Sequence, residues 1–334
     1  MSIYRLLYIL KLEKLIDLAL IMRLKYRLFL MRESQSRLSK IKPYQKAAYD
    51  KLKKYFKKYY SLSEKHNYKK FISSMWKEHN SELEKTLLPF PKFSFLQDPI
   101  IMKSMFATGN ESWLVSAIKD IQKIISFADI KYILQEEYIG EPLIVNRIYM
   151  TTHNNIEHLY HLANFIKETA CDINQPKVVI EWGGGYGNMA KLFINLRDRV
   201  NVPTYIMIDT PLISCLQWLY LSVVFGERMV HYIENKDDLI QRNKINIVSL
   251  PFMNTIKSKP DLFISTWALS ESSKFSQDFV INRTWLKAPH IFLGYRESDE
   301  RLPNSDRIGR IAKENGAKII PIDFLPGKHF YAFK

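Results

Sequence analysis

The chain has 334 residues, 47% of them hydrophobic and 25% charged, with a formal net charge of +15. Such a composition supports one large or two modest domains with a buried core and excludes wholesale disorder. Only two cysteines are present, Cys171 and Cys215, which excludes a disulfide framework and fits a reducing compartment.

The positive charge is concentrated at the start. Residues 1–100 hold 22 Lys and Arg against 9 Asp and Glu, whereas the remainder holds 27 against 25. The opening stretch, MSIYRLLYILKLEKLIDLALIMRLKYRLFLMR, is apolar but interrupted by charge throughout, so it offers no spanning run of about 20 residues. It reads as a basic amphipathic helix over residues 1–35. Its role is either peripheral contact with an anionic membrane through residues 1–32 or docking on an apolar surface. Residues 36–90 are rich in Lys and Tyr, with spacing that predicts helices whose aromatic stripe is buried and whose lysines are solvated. LLPFPKF, at 87–93, reads as a turn, and residues 112–137 as helical again. Residues 36–165 therefore form a helical region preceding a second domain over 166–334. In the helix carrying THNNIEHLYHLANF (152–165), Ile156, Leu159, Ala163 and Ile166 make the core stripe. His153, Glu157 and His161 flank it, and His158 points roughly away.

After Pro176 the pattern changes. VVIEW, YIMID, INIVSL, DLFIST and HIFLGY are short apolar runs, most of them separated by helix-length segments, which predicts a parallel sheet covered on both faces. AKIIPIDFLPGKHFYAFK ends the chain as two strands about a Pro-Gly turn, an antiparallel hairpin.

The sharpest local signal is VVIEWGGGYGNMAKLF, residues 178–193, a buried strand running through a glycine-rich loop into a helix. Glycines at 183, 185 and 187 let the backbone turn tightly and approach a ligand, and the helix presents its first N–H groups to it. Where such a loop binds pyrophosphate, an acid just before it is unfavourable. Glu181 suits instead the sulfonium and ammonium of S-adenosylmethionine. The predicted cofactor contacts are Glu181, Gly183, Gly184, Gly185, Tyr186, Gly187, Asp209 and Thr210. Asp209, about 22 residues past Gly187, suits ribose hydroxyls and also the start of the next helix.

Several stretches resemble the sugar O-methyltransferases of bacterial surface-polysaccharide gene clusters: ILQEEYIGEP (133–142), THNNIEHLYHLANF (152–165), VIEWGGGYGNMAKL (179–192), YIMIDTPLISCLQWLYL (205–221) and DLFISTWALSES (261–272). Trp267 and Ser272 depart from the residues usual at their positions. The resemblance implies a Rossmann-like class I methyltransferase sheet behind a helical N-terminal region. It also implies S-adenosylmethionine as cofactor and a glycan or lipid-linked sugar as acceptor, with action in the cytoplasm or at the inner face of the plasma membrane.

Methylating a sugar hydroxyl calls for a base, which in such sheets comes from loops at the carboxyl ends of the strands. Glu271 is the first candidate, followed by His158, His161 and His153. Tyr295, Arg296 and Gln217 are the expected acceptor contacts. No metal site is indicated, although Glu157 and His161, one turn apart, have the spacing of a pair. Nucleic-acid amino-methylases usually carry an Asn/Asp-Pro-Pro-aromatic segment where this chain has Ser265-Thr-Trp-Ala-Leu-Ser-Glu271, which makes nucleic acid an unlikely acceptor. The alternatives are a methyltransferase acting on RNA or another polyanion held by the basic third, or a non-catalytic scaffold in glycan assembly.

Overall fold

The computed structural model describes residues 41–105, 111–197 and 202–334, together with Leu18 and Met22. The predicted N-terminal helix over 1–35 lies outside the described residues except at those two positions. From Pro43 the chain forms helices α1 (Pro43–Leu52), α2 (Phe56–Ser63), α3 (Ser74–Leu87), α4 (Pro99–Met105), α5 (Glu111–Gln122) and α6 (Phe127–Leu134). A small antiparallel pair follows, β1 (Ile144–Asn146) with β2 (Thr151–Thr152), and then α7 (His153–Thr169). The second half contains β3 (Val178–Trp182), α8 (Asn188–Leu196), β4 (Thr204–Asp209), α9 (Pro211–Phe225), β5 (Val230–Tyr232), β6 (Ile245–Ser249) and β7 (Leu262–Thr266). It ends with α10 (Ala268–Glu271), α11 (Lys274–Asn282), β8 (His290–Arg296), α12 (Arg307–Glu314), β9 (Lys318–Ile322) and β10 (His329–Phe333).

Among the described residues the main sheet has eight strands in the order β5-β6-β4-β3-β7-β8-β10-β9. The pairings from β5 through β8 are parallel; β10 is antiparallel to both β8 and β9. The five predicted parallel strands and the closing hairpin are all present. This is a Rossmann-like, mostly parallel sheet closed by an antiparallel hairpin, with a helical region ahead of it. The chain leaves β3 in one direction toward β4, β6 and β5, and returns beside β3 as β7 before continuing to β8. That switch opens a crevice at the carboxyl ends of β3 and β7.

Strand alternation divides the core. Val179, Tyr205, Met207, Ile247, Ile264 and Phe292 face α7, α8 and α9 in one cluster. Ile180, Ile206, Val248, Phe263, Ile291 and Leu293 face Val280 of α11 and Ile308 and Ala312 of α12 in the other. α9 is buried at 13 of its 15 residues, because α1 and α2 lie over the side the sheet leaves open. Their stripe of Tyr49, Leu52, Phe56 and Tyr60 joins the first cluster, as the Lys/Tyr spacing predicts. Tyr59 packs on Trp218 and Tyr232. The turn at 87–93 is also held down: the Tyr49 hydroxyl donates to Pro91 O at 2.6 Å, and Phe93 packs edge-on against Tyr49.

The structure differs from expectation at three places. The boundary at 165/166 falls inside α7, whose Leu162 and Phe165 belong to the sheet-side core. The helical stretch at 112–137 is two helices, the second starting at the Ser126 cap that accepts from Asp129 N–H. β5, parallel to β6, lengthens one edge of the sheet. Cys171 and Cys215 are both buried free thiols. Among the described residues no helix is long and apolar enough to cross a membrane.

Candidate functional site

A cavity of about 440 Å³ opens at the switch in the sheet. Its floor is the row of strand ends: Glu181 and Trp182 of β3, Ile208 and Asp209 of β4, Leu250 after β6, Thr266 of β7 and Arg296 of β8.

Gly183 and Gly185 adopt φ of +75° and +56°. A Cβ on Gly183 would stand 1.9 Å from that of Ala268, so the bend exists only because residue 183 has no side chain. A Cβ on Gly184 would meet Met207 at 2.4 Å and the Glu181 carboxyl at 2.9 Å. The loop thus lies directly on a carboxyl group. Glu181 points to the α7–α9 side of the sheet, and its Oε2 accepts from the Tyr205 hydroxyl at 2.9 Å. Burial, with a contribution from Asp209, pushes Glu181 up to about 8. Asp209 accepts from Thr210 N–H at 2.8 Å and from Gln217 Nε2 at 2.9 Å. Burial pushes it up to about 7 despite these donors. The Thr210 hydroxyl oxygen beside it is buried without a partner.

Three expected contacts are placed elsewhere. Gly187 is outside the cavity lining; at φ +103° it caps α8, and a Cβ there would press on Leu221 of α9 at 3.0 Å. Gln217, expected at the acceptor, is a fully buried residue of α9 whose amide orients Asp209. Tyr295 also misses the cavity: it is 6% exposed, stacks on Phe330 and abuts Gly309. The alternation of β8 turns Tyr295 to the α12 side and leaves the next residue, Arg296, on the cavity wall, paired with Asp299.

Glu271, at the end of α10, reaches the cavity and accepts from Trp76 Nε1 at 3.2 Å. Burial raises its pKa, and the Arg296 charge pulls against the rise. From α7 come Glu157, His158 and His161. His158 does not point away, as its helical position suggests. It lines the cavity with Nδ1 3.2 Å from Asn188 Nδ2, and burial pushes it down to about 3, so it is neutral at physiological pH. α7 is enclosed by α5, α8 and β10, so even its flank is interior. His153 stands behind the wall, Nδ1 3.5 Å from Glu157 Oε2. His161 contacts the Tyr331 hydroxyl through Nδ1, and its Nε2 lies 3.7 Å from Glu157 Oε1. Among the described residues no group of three or more potential ligands gathers around a common metal position.

Other lining residues come from segments that no motif marks. Ile72, Met75, Trp76 and His79 descend from the N-terminal layer, and Lys103, Ser104 and Met105 end α4. Trp267, held at φ +66°, donates its Nε1 to His329 Nδ1 at 2.8 Å, and His329 Nε2 lies 3.0 Å from Pro326 O. With both nitrogens engaged and burial lowering its pKa to about 4, His329 is a fixed neutral wall group.

No family model and no curated protein matches the chain. Solved structures align over much of it at low identity. PigF with SAH aligns with 52% of this chain at 13% identity and a TM-score of 0.33; the match spans 59% of that protein, less than two thirds of its length. The mitomycin 7-O-methyltransferase aligns over 75% of this chain and 74% of its own, at 10% identity and a TM-score of 0.33. Human N-acetylserotonin methyltransferase in complex with SAM aligns over 76% and 74%, at 12% identity and a TM-score of 0.32.

Proposed function

We propose that the chain is an S-adenosylmethionine-dependent O-methyltransferase whose acceptor is a sugar hydroxyl of a surface polysaccharide or its precursor. The observation that carries this reading is the glycine cradle seated on Glu181, with Asp209 one strand away and Glu271 across the same cavity. A Cβ at 183 or 184 would strike Ala268, Met207 or Glu181, so the glycines seat the loop on the strand ends at the cavity, where the buried Thr210 hydroxyl lacks a partner. The unpartnered hydroxyl fits a bound ligand. Two carboxyl groups whose burial already works against their ionisation are a poor host for pyrophosphate and a good one for a cationic nucleoside.

When bound, S-adenosylmethionine supplies an electrophilic methyl carbon on sulfur. The chain's residues do the rest. The loop at 183–185 would hold the ligand against the strand ends, Asp209 would accept from the ribose hydroxyls, and the cavity walls would orient the acceptor hydroxyl. Glu271 would take the proton of the acceptor hydroxyl. Its raised pKa makes it a stronger base than an ordinary carboxylate. Trp76 and Trp267 offer aromatic faces beside polar groups, a lining suited to the apolar face and hydroxyl edge of a sugar ring.

Calorimetric titration with S-adenosylhomocysteine tests the reading. The folded protein should bind it, and Asp209→Ala should weaken binding by roughly tenfold, the loss of a charge-assisted hydrogen bond. Absence of binding by folded wild-type protein would end the proposal.

A further inference from the structure

The cavity holds a fourth carboxyl group, one that the methyl-transfer reading does not use. Glu157 is 1% exposed and lines the cavity, and neither of its oxygens has a hydrogen-bond donor in place. The nearest groups are the imidazoles of His153 and His161, at 3.5 and 3.7 Å. Among the described residues no lysine or arginine pairs with it; the buried Lys191 on the neighbouring helix is committed to Glu136 at 3.0 Å and Asn155 at 3.0 Å. Burial pushes Glu157 up, but the two imidazoles outweigh it and hold the carboxyl below its usual range. It is therefore an ionised acceptor facing a cavity, with its two imidazole neighbours at 3.5 and 3.7 Å and room for a closer donor, an arrangement that a ligand would complete.

Its position says which part of a ligand that is. One turn before it, Asn154 donates to the Tyr186 hydroxyl at 3.1 Å, and Asn154 O accepts from Asn188 at 3.4 Å. His158, its neighbour, meets the same Asn188 side chain. Tyr186 closes the glycine loop and Asn188 opens α8, so this stretch of α7 is tied to the far end of the loop that lines the cavity. Backbone N–H groups of such a loop favour a carboxylate, and Glu157 favours a cation. An amino-acid group carries both charges on one carbon.

We propose that Glu157, and not Glu181, which lies beneath the loop with the Tyr205 hydroxyl on it, receives the α-ammonium of the amino-acid end of the cofactor, opposite a carboxylate held by the loop. This rests on the cofactor assignment above, and the two can fail separately. The probes are S-adenosylhomocysteine, its deamino analogue and methylthioadenosine, titrated against wild type and Glu157→Gln. Wild type should prefer S-adenosylhomocysteine to the deamino analogue by about thirty-fold or more, the range for removing one partner of a desolvated charge pair. Glu157→Gln should lose that preference and bind methylthioadenosine as wild type does, an equality that a purely structural role for Glu157 would not preserve. Glu157→Asp, which keeps the charge, should retain part of the preference. If wild type binds both nucleosides equally well, the ammonium has no carboxylate partner and the proposal is overturned, even should Glu157→Gln fail to fold. If Glu157→Gln discriminates as wild type does, the partner is another residue and the proposal is likewise overturned. If wild type binds none of the three, the cofactor assignment itself has failed.

Discussion

Glu271 and Glu181 are both carboxyl groups with raised pKa values, yet they predict different things because only Glu271 is placed to meet an acceptor. Glu271→Gln keeps the size and the contact with Trp76 but cannot take a proton. It should lower kcat by about 10²- to 10⁴-fold while leaving the affinity for S-adenosylhomocysteine unchanged, and full activity would remove it from the role of base. In wild type the base must be ionised, so kcat should fall as pH drops, with the acid limb above the ordinary carboxylate value of about 4.3. Glu181 and Asp209 speak instead through stability. Their folded pKa values, about 8 and about 7, exceed the unfolded ones. The folded state therefore holds protons that the unfolded state has released, and the stabilisation present at low pH is lost as pH rises through those values. The Tm of the ligand-free protein should fall between about pH 5 and about pH 8 from this cause. Glu181→Gln with Asp209→Asn should flatten that part of the curve, and an unchanged slope would refute the assignment.

At the scale of elements, the cradle depends on two neighbours fitting without a side chain between them. Gly183→Ala places a methyl 1.9 Å from Ala268 at a φ of +75°. The backbone strain costs about 1–3 kcal/mol, and displacing α10 adds a similar amount. Urea denaturation should show that loss, accompanied by failure to bind S-adenosylhomocysteine. A variant as stable as wild type would mean that the loop has another way to bend. This loop was legible in the sequence because strand, glycines and helix are contiguous, and Asp209 because it ends the next strand. The five parallel strands were legible for the same local reason. β5 was not, since three residues carry no period. Trp76 and Glu271 stand 195 residues apart, so nothing in either segment announces their bond. Gln217 was noticed but misassigned: its position in α9 is visible in the sequence, whereas its burial comes from α1 and α2 packing over that helix.

For the molecule as a whole, the helical region is part of the core and not an appendage. It covers α9 through Tyr49, Leu52, Phe56 and Tyr60, and it delivers Trp76 to the cavity. A chain beginning at residue 166 keeps every strand of the main sheet but loses most of α7 and everything outside α9. Size-exclusion chromatography should find it aggregated, and its denaturation should lack a single cooperative transition. A monomeric fragment with a sharp transition would show that the sheet and its remaining helices suffice.

That arrangement also sets the order in which the protein can finish folding as it leaves the ribosome. α1 and α2 emerge well before the helix they cover, which ends at Phe225. At about 5–20 residues per second, the interval is on the order of ten seconds. Throughout it, a basic segment with an aromatic stripe has no surface of its own to rest on. The nascent chain therefore passes through a long period in which chaperones, or the polyanions around the ribosome, have first access to its apolar side.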